Sequence, residues 1–471
     1  MNRGFAQRSV KPASLMKTAE SLSMNCPELR RTLMTTKTKR VLTEAAGLMR
    51  APQRFIPLFS KLVSDELKTS FEQRHLYSYT AVTIPTGDAL RSLIDWILHA
   101  QLPDGGIPAY YSLLTGYSES YPEVTGYIIP TLYDFANLAG DPNARHAAER
   151  AIQWLLGLQM PSGAFPAGLH GPQSDAKPSV FNTGQILQGL VRALAETRNA
   201  EILKCAVAAG DWLAAIRQPD GAWSGTAAYQ GVAHTYYSMV SWALVQLTAE
   251  SGNPDYAAAA DRNIEWVLTH VQPSGWIEGI NLHGHPTYLH FIAYVIQGTL
   301  ECGILRRRDD AIYAAANSAW VLLRKFETHK RLLGTYEPNY RGGQKFSCLT
   351  GNAQMSCVWL RLFEATGDLR FLNAALKMNE MLKQSLSLKG RRGVAGGVAG
   401  SYPIWGAYQP LRFISWGCKF LADALMLEQR VMRRFEPEFV QELRPVGSSD
   451  NSPGASATER VRGVIESRRV D

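Results

Sequence analysis

Two kinds of amphipathic segment alternate along the middle of the chain, and their apolar spacing predicts helices throughout. Segments of the first kind end in one repeated phrase: DWILHAQLPDG up to Gly105, QWLLGLQMPSG up to Gly163, DWLAAIRQPDG up to Gly221 and EWVLTHVQPSG up to Gly275. Each carries a Trp on the helix, then Gln, then Pro with Asp or Ser, then Gly. The tryptophans Trp96, Trp154, Trp212 and Trp266 are spaced by 58, 58 and 54 residues; Trp320 follows after 54, and Met378 stands 58 further on. A period this long and regular marks a repeat architecture.

The pattern places helices of the first kind near 88–101, 143–159, 200–217, 256–271, 310–326 and 370–386. A second, more apolar kind falls near 123–138, 181–196, 234–249, 287–304, 350–365 and 411–428. Short polar turns such as Ala-Gly-Asp-Pro at 139–142, Ser-Gly-Asn-Pro at 251–254 and Thr-Gly-Asp at 366–368 lead from the second kind to the first. Such turns stop one helix and cap the next, as antiparallel helical hairpins require. The series starts with one kind and ends with the other, so the last helix can pair with the first. The expected fold is therefore all-α: a single (α/α)6 toroid over 81–432, with the apolar helices inside. An open helical solenoid is the alternative. Residues 1–80 read as a basic, partly flexible extension with a helix around Phe59–Leu67, and 433–471 as a disordered polar tail.

Composition changes this picture little, but it narrows the function. The net charge of +8 is concentrated at the start, where residues 1–50 hold ten Lys/Arg against Glu20, Glu28 and Glu44. The remaining chain is close to neutral, which excludes a broad nucleic-acid face on the folded body. Six scattered cysteines without a CxxC pair read as reduced thiols. Neither a secretory h-region nor an 18-residue apolar run is present, so the expectation is a cytoplasmic protein without a transmembrane segment. Its Arg-rich start leaves peripheral membrane association or an organelle address open.

In a toroid the long loops share one face, at the N-termini of the inner helices, where free N–H groups favour an anionic ligand. A hydroxyl recurs at each inner-helix start (Thr125, Thr183, Thr235, Thr287, Thr350, Ser415) and reads as an N-cap. Around these gather Tyr121, Glu123, Asn182, His234, Tyr236, Tyr237, His283, His285, Tyr288, His290, Tyr340, Arg341, Asn352, Tyr402, Trp405 and Tyr408. Aromatic faces stack on sugar C–H surfaces, amides and imidazoles bond hydroxyls, and Arg grips a carboxylate, so the set suits an oligo- or polysaccharide, preferably anionic. Uronate lyase or C5-epimerase chemistry needs a proton-moving pair and a carboxylate neutraliser. His234 and Tyr236 are the expected base and acid, with Asn182 and Arg341 on the carboxylate.

Three alternatives stand beside that reading. An inverting glycoside hydrolase would use two carboxyls, Glu123 with Glu278 or Glu337, since Asp104 and Asp220 fit their Pro-Asp-Gly turns. A non-catalytic glycan-binding or assembly toroid would need none of this chemistry, and terpenoid cyclisation is the most distant. No cofactor or metal is expected: His283-Gly-His285 with His290 lacks an acid or Cys at zinc spacing, Asp309-Asp310 reads as a helix start, and the glycines at 396–400 lack a following Lys-Ser/Thr.

The repeat phrase resembles the Gln–Gly–Trp motif of terpene cyclases and prenyltransferase-type toroids, best at Gln218-Pro-Asp-Gly-Ala-Trp223. No Asp-x-Asp-Asp acid accompanies it, so this resemblance implies the toroid shape alone. Two further stretches, Ser120-Tyr-Pro-Glu-Val-Thr-Gly-Tyr through Asp134 and Gly400-Ser-Tyr-Pro-Ile-Trp-Gly-Ala-Tyr408 with Trp416 and Lys419 to Asp423, resemble bacterial toroid proteins of exopolysaccharide and surface-polysaccharide assembly. That resemblance covers about residues 80–430 and implies a role in making or modifying a polysaccharide beside other assembly proteins.

Overall fold

The computed structural model describes residues 60–61, 63–65, 84–171, 177–280, 282 and 286–434. Most of the N-terminal extension and nearly all of the C-terminal tail, with their expected flexibility, lie outside the described residues. Residues 60–61 and 63–65 are helical, and between residues 84 and 434 the described chain forms twelve α-helices in six consecutive pairs. The first of each pair are α1 (Thr86–Ala100), α3 (Pro142–Leu156), α5 (Ala200–Ile216), α7 (Pro254–Leu268), α9 (Asp309–His329) and α11 (Leu369–Lys383). The second are α2 (Pro122–Ala139), α4 (Val180–Thr197), α6 (Ser238–Ser251), α8 (Leu289–Arg306), α10 (Leu349–Thr366) and α12 (Ser415–Arg433).

The second set forms the inner ring: α2 packs on α4, α4 on α6, α6 on α8, α8 on α10, α10 on α12, and α12 back on α2. Each inner helix also packs on the outer helix that follows it, and α12 packs on α1. The polar turns do what their composition predicts. Asp141 accepts from the amides of Asn143 and Ala144 at the head of α3, and Asn253 and Asp368 cap α7 and α11 in the same way. Gly140 ends α2 at φ 64°, a left-handed stop that releases the chain into its next cap.

Closure decides against the open solenoid. Strand β1 (Tyr110–Ser112), in the first long loop, pairs antiparallel with β7 (Arg412–Ile414), in the last. The Ser415 hydroxyl donates to Pro108 O at 2.5 Å, and Thr131 on α2 donates to Asp423 on α12 at 2.6 Å. A buried polar knot joins α1, α11 and α12: Asn379 Nδ2 donates to Glu428 at 2.7 Å, and Lys383 Nζ to Thr86 at 3.1 Å. β2 (Gly116–Tyr117) folds back on β1 within the first long loop, while β3 (Thr287–Tyr288) with β4 (Thr335–Tyr336) and β5 (Ser347–Cys348) with β6 (Ser401–Tyr402) tie neighbouring long loops together. The last inner helix starts four residues later than its apolar pattern suggests because Arg412–Ile414 is spent in β7.

The repeat phrase is a stitch between adjacent repeats. Gln101 Nε2 donates both to Gly105 O and to Ala147 O on the next outer helix, each at 2.9 Å. Gln159 repeats this with Gly163 O and Cys205 O, at 3.0 and 2.8 Å. The Gly must be Gly twice over: at Gly163 φ is 90°, and a Cβ would sit 2.2 Å from the Ala208 carbonyl oxygen. The Trp of the next repeat flanks that seam, with Trp154 Cβ beside Gly105 and Trp266 Cβ beside Gly221. No helix among the described residues is long and apolar enough to cross a membrane.

Candidate active site at the inner-helix N-termini

The helix-start hydroxyls are not the N-caps expected of them. Thr125 Oγ1 and Thr183 Oγ1 accept from the backbone N–H of Ile107 and Phe165, each at 2.9 Å, and Thr235 donates to Glu278 O at 2.9 Å. A hydroxyl here holds the long loop down onto its helix, where a buried loop amide would otherwise lack a partner. The loops are thereby fixed around the open ends of the inner helices.

Glu123 stands in the first turn of α2, partly open to this mouth. The Tyr121 hydroxyl donates to its Oε2 at 2.7 Å. Burial among aromatic rings raises the Glu123 carboxyl from 4.5 to about 7, and the Tyr121 bond offsets only part of that. Its charge is felt by the phenols of Tyr127, Tyr236, Tyr294 and Tyr408, all held protonated by burial. Those four come from α2, the turn before α6, α8 and the last long loop, so four elements bring a phenol within reach of the Glu123 charge.

The rings form one connected cluster. Phe181 lies 5.0 Å from Tyr236 and 5.3 Å from Tyr294. Tyr236 reaches Phe291 at 5.7 Å, and Tyr288 reaches Tyr408 at 5.1 Å. Tyr294 and Tyr127 close on Phe420 at 5.9 and 6.0 Å. Below this layer the ring axis is filled by side chains rather than open: Tyr127, Gln185, Tyr294, Gln354 and Phe420 are each buried. The site is thus an aromatic cluster at the inner-helix N-termini that holds a protonatable carboxyl.

His290, on the first turn of α8, is buried in the same cluster, with its ring 4.3 Å from Tyr294 and 5.6 Å from Tyr408. Its Nδ1 lies 2.6 Å from Gln354 Oε1. Burial lowers it from 6.5 to about 4, partly offset by the Gln354 bond, so it is neutral at neutral pH. Tyr408 accepts from Trp416 Nε1 at 2.9 Å, and Tyr288 donates to Ala407 O at 3.4 Å.

Other candidates are placed differently. His234 is 1% exposed, stacks on Tyr236 at 4.8 Å, and its Nε2 meets Tyr229 O at 3.0 Å. Tyr237 accepts from Tyr229 N at 2.8 Å and hydrogen-bonds Tyr236. These three make the wall below Tyr229. Asn182 Nδ2 donates to Pro166 O at 3.0 Å, while its Oδ1 accepts from Ser179. Tyr340 donates to Gly275 O at 3.2 Å under Trp276, in the scaffold seam. Arg341 is exposed and donates to Pro338 O at 3.2 Å, outside the aromatic cluster. Asn352 is fully buried in α10. Tyr402 pairs with Ser347 in the β5–β6 ladder, and Trp405 stands on the same long loop, 38% exposed. His283 and His285, and with them the zinc question, lie outside the described residues.

Of the carboxyls in the two-carboxyl alternative, Glu278 and Glu337 are exposed on their loops, whereas Glu123 is bonded by Tyr121 at the start of α2. Asp104 accepts from Gly106 N and Ser120, and Asp220 from Ala222 N, as turn residues. Sequence reasoning missed Tyr127, Tyr294, Phe181, Phe291, Gln354 and Phe420. The signal was the four-residue step, since Tyr127 and Tyr294 lie one helical turn beyond Glu123 and His290 on the same faces.

Comparison with known proteins supports the architecture. The model of the squalene-hopene cyclase C-terminal domain matches residues 123–299. No curated protein matches the chain by sequence. Among solved structures, an unsaturated glucuronyl hydrolase specific for heparin superposes with a TM-score of 0.61 at 14% identity, covering 74% of this chain and 98% of that one. Cellobiose 2-epimerase from Spirochaeta thermophila gives 0.61 at 14%, covering 74% and 96%. A D-mannose isomerase gives 0.57 at 11%, covering 73% and 97%. The chain is an α/α toroid, the fold it shares with these three enzymes.

Proposed function

We propose that the protein is a carbohydrate-active enzyme that moves a proton on a sugar held in the aromatic pocket, by chemistry of the epimerase or lyase type. The observation that carries this is Glu123: a carboxyl raised to about 7 by burial, held by the Tyr121 hydroxyl, whose charge reaches four protonated tyrosines at the inner-helix N-termini. General acid–base catalysis works best when the group titrates near the working pH. The tyrosine faces offer stacking surfaces, and their hydroxyls offer donors to sugar oxygens.

The structural neighbours act on saccharides by hydrolysis, epimerisation and isomerisation, which supports the substrate class. Uronate chemistry remains the preferred form, with the inner-helix N-termini as the groups that favour a carboxylate. Within this reading, proton transfer belongs to Glu123 ahead of His234. The resemblance of the stretches at 120–134 and 400–423 to surface-polysaccharide assembly toroids supports a role in making or modifying a polysaccharide, with assembly proteins as partners.

The test is incubation in D2O with glucuronate-ended oligosaccharides, cellobiose and mannose, following deuterium at sugar carbons and absorbance of unsaturated products. The reading expects one of these signals, lost in Glu123→Gln. Glycan binding with neither signal in the wild type would leave only a binding toroid.

A further inference from the structure

The inner ring holds a second proton-handling group that the Glu123 reading does not use. His290 and Glu123 approach the same two phenols from different helices: His290 packs on Tyr294 and Tyr408, and both feel the charge of Glu123. Tyr294 and Tyr408 are themselves buried, so a sugar ring reaching them from the loop side would meet an imidazole from α8 and a carboxyl from α2 together.

The state of that imidazole is set by α10. Gln354 Oε1 is an acceptor, so the Nδ1 it meets at 2.6 Å carries the proton, and the lone pair is on Nε2. Gln354 is fully buried, and its Nε2 has no partner among the described residues. An amide left half-satisfied in the core costs on the order of 1–3 kcal/mol and calls for a reason. Holding one histidine tautomer is such a reason, because a hydrophobic residue at 354 would pack without that cost. His290 itself makes no hydrogen bond through Nε2 among the described residues.

We infer that His290 is the base that takes the sugar proton, with Gln354 as the positioning residue that presents Nε2 to the substrate; this rests on the proposed proton-transfer function. In the step, Nε2 takes the proton from the carbon beside the sugar's carbonyl or carboxyl group. The C–H electron pair becomes the new C=C bond, and the carbonyl π pair takes the proton of neutral Glu123. The products are an enol, an imidazolium and a carboxylate. Reversal after exchange of the imidazolium proton with solvent returns the sugar labelled at that carbon.

The experiment uses the full chain in D2O with cellobiose, mannose and glucuronate-ended disaccharides as probes, read by NMR of the sugar. Binding is followed by protein fluorescence, and selective 15N-histidine labelling reports the tautomer. His290→Gln is expected to bind sugar as before and to lose exchange by about 10²–10⁴-fold. Gln354→Leu is expected to lower kcat at nearly constant KM and to scramble the His290 tautomer. Gln354→Glu, which keeps an acceptor for Nδ1, restores most of both. If His290→Gln keeps more than a tenth of the exchange, or Gln354→Leu changes neither tautomer nor kcat, the assignment falls while the Glu123 reading stands. A wild type that exchanges none of the probes overturns both.

Discussion

Replacing Glu123 by Gln isolates the physical claim on which the site rests. The amide keeps the shape and can still accept from Tyr121, so packing and the 2.7 Å bond survive while the titration disappears. The wild-type carboxyl goes from 4.5 in the unfolded chain to about 7 in the fold. Between those values the folded state holds a proton that the unfolded state has lost. Its stabilising contribution is complete below 4.5 and is lost as pH rises through 7. At about 1.4 kcal/mol per tenfold change in proton affinity, the upper bound is about 3 kcal/mol, and partial opening to the pocket brings the expectation to about 2 kcal/mol. Urea unfolding of both proteins at pH 4.5, 6 and 8.5 is the assay. Relative to wild type, Glu123→Gln should gain about 2 kcal/mol between the lowest and highest pH, and lose deuterium exchange by about 10²-fold or more at every pH. A difference in stability that stays flat with pH would mean that Glu123 titrates as an ordinary surface carboxyl, and the argument from burial would fail.

Other outcomes follow from the same geometry. Gly163→Ala should cost about 3 kcal/mol or more, because its Cβ would meet the Ala208 carbonyl, whereas Gly140→Ala, with open space around it, should cost about 1 kcal/mol; chemical denaturation compares the two. Gln159→Ala removes both stitches to the neighbouring repeat and should cost about 1–3 kcal/mol by the same measurement. Arg341 is exposed and outside the aromatic cluster, so Arg341→Ala should leave stability within about 0.5 kcal/mol and KM for uronate-ended sugars unchanged, which denaturation and steady-state kinetics check. His290 is depressed from 6.5 to about 4, so the fold loses stability as pH falls through that window, and His290→Gln should flatten this acid limb of the denaturation profile.

The ring was legible in the sequence because its cause is periodic. Four copies of the Trp, Gln and Gly phrase, with Trp320 and Met378 at steps of 54 or 58 after them, place six outer helices, and a series that begins with one kind and ends with the other specifies closure. Helix limits at the polar turns came out within about three residues, since Asp141, Asn253 and Asp368 cap where such residues cap. The site was legible only in part. Glu123, Tyr121, Tyr236, His290 and Tyr408 stood out as chemistry beside helix starts, and they do converge. His234 is the first choice for the base from the sequence, yet its Nε2 is engaged by the Tyr229 carbonyl, a loop contact that no spacing announces. Arg341 follows a left-handed turn at Asn339 and Tyr340 that points the segment at Gly275 instead of the pocket. Gln354 and Tyr294 matter through partners on other helices, some 60 residues away in the case of His290 and Gln354. The hydroxyls misled for a related reason. A Thr at a helix start is an N-cap by local rules, and here it is taken by the loop of its own repeat or the next.

The most direct measurement is a crystal structure of the protein with a bound glucuronate-ended oligosaccharide. The account predicts a terminal sugar stacked within the aromatic pocket, with a ring carbon or its oxygen about 2.6–3.2 Å from Glu123 and the His290 side turned toward it. A sugar bound on the outer helices, or along the rim with the pocket floor untouched, would contradict it.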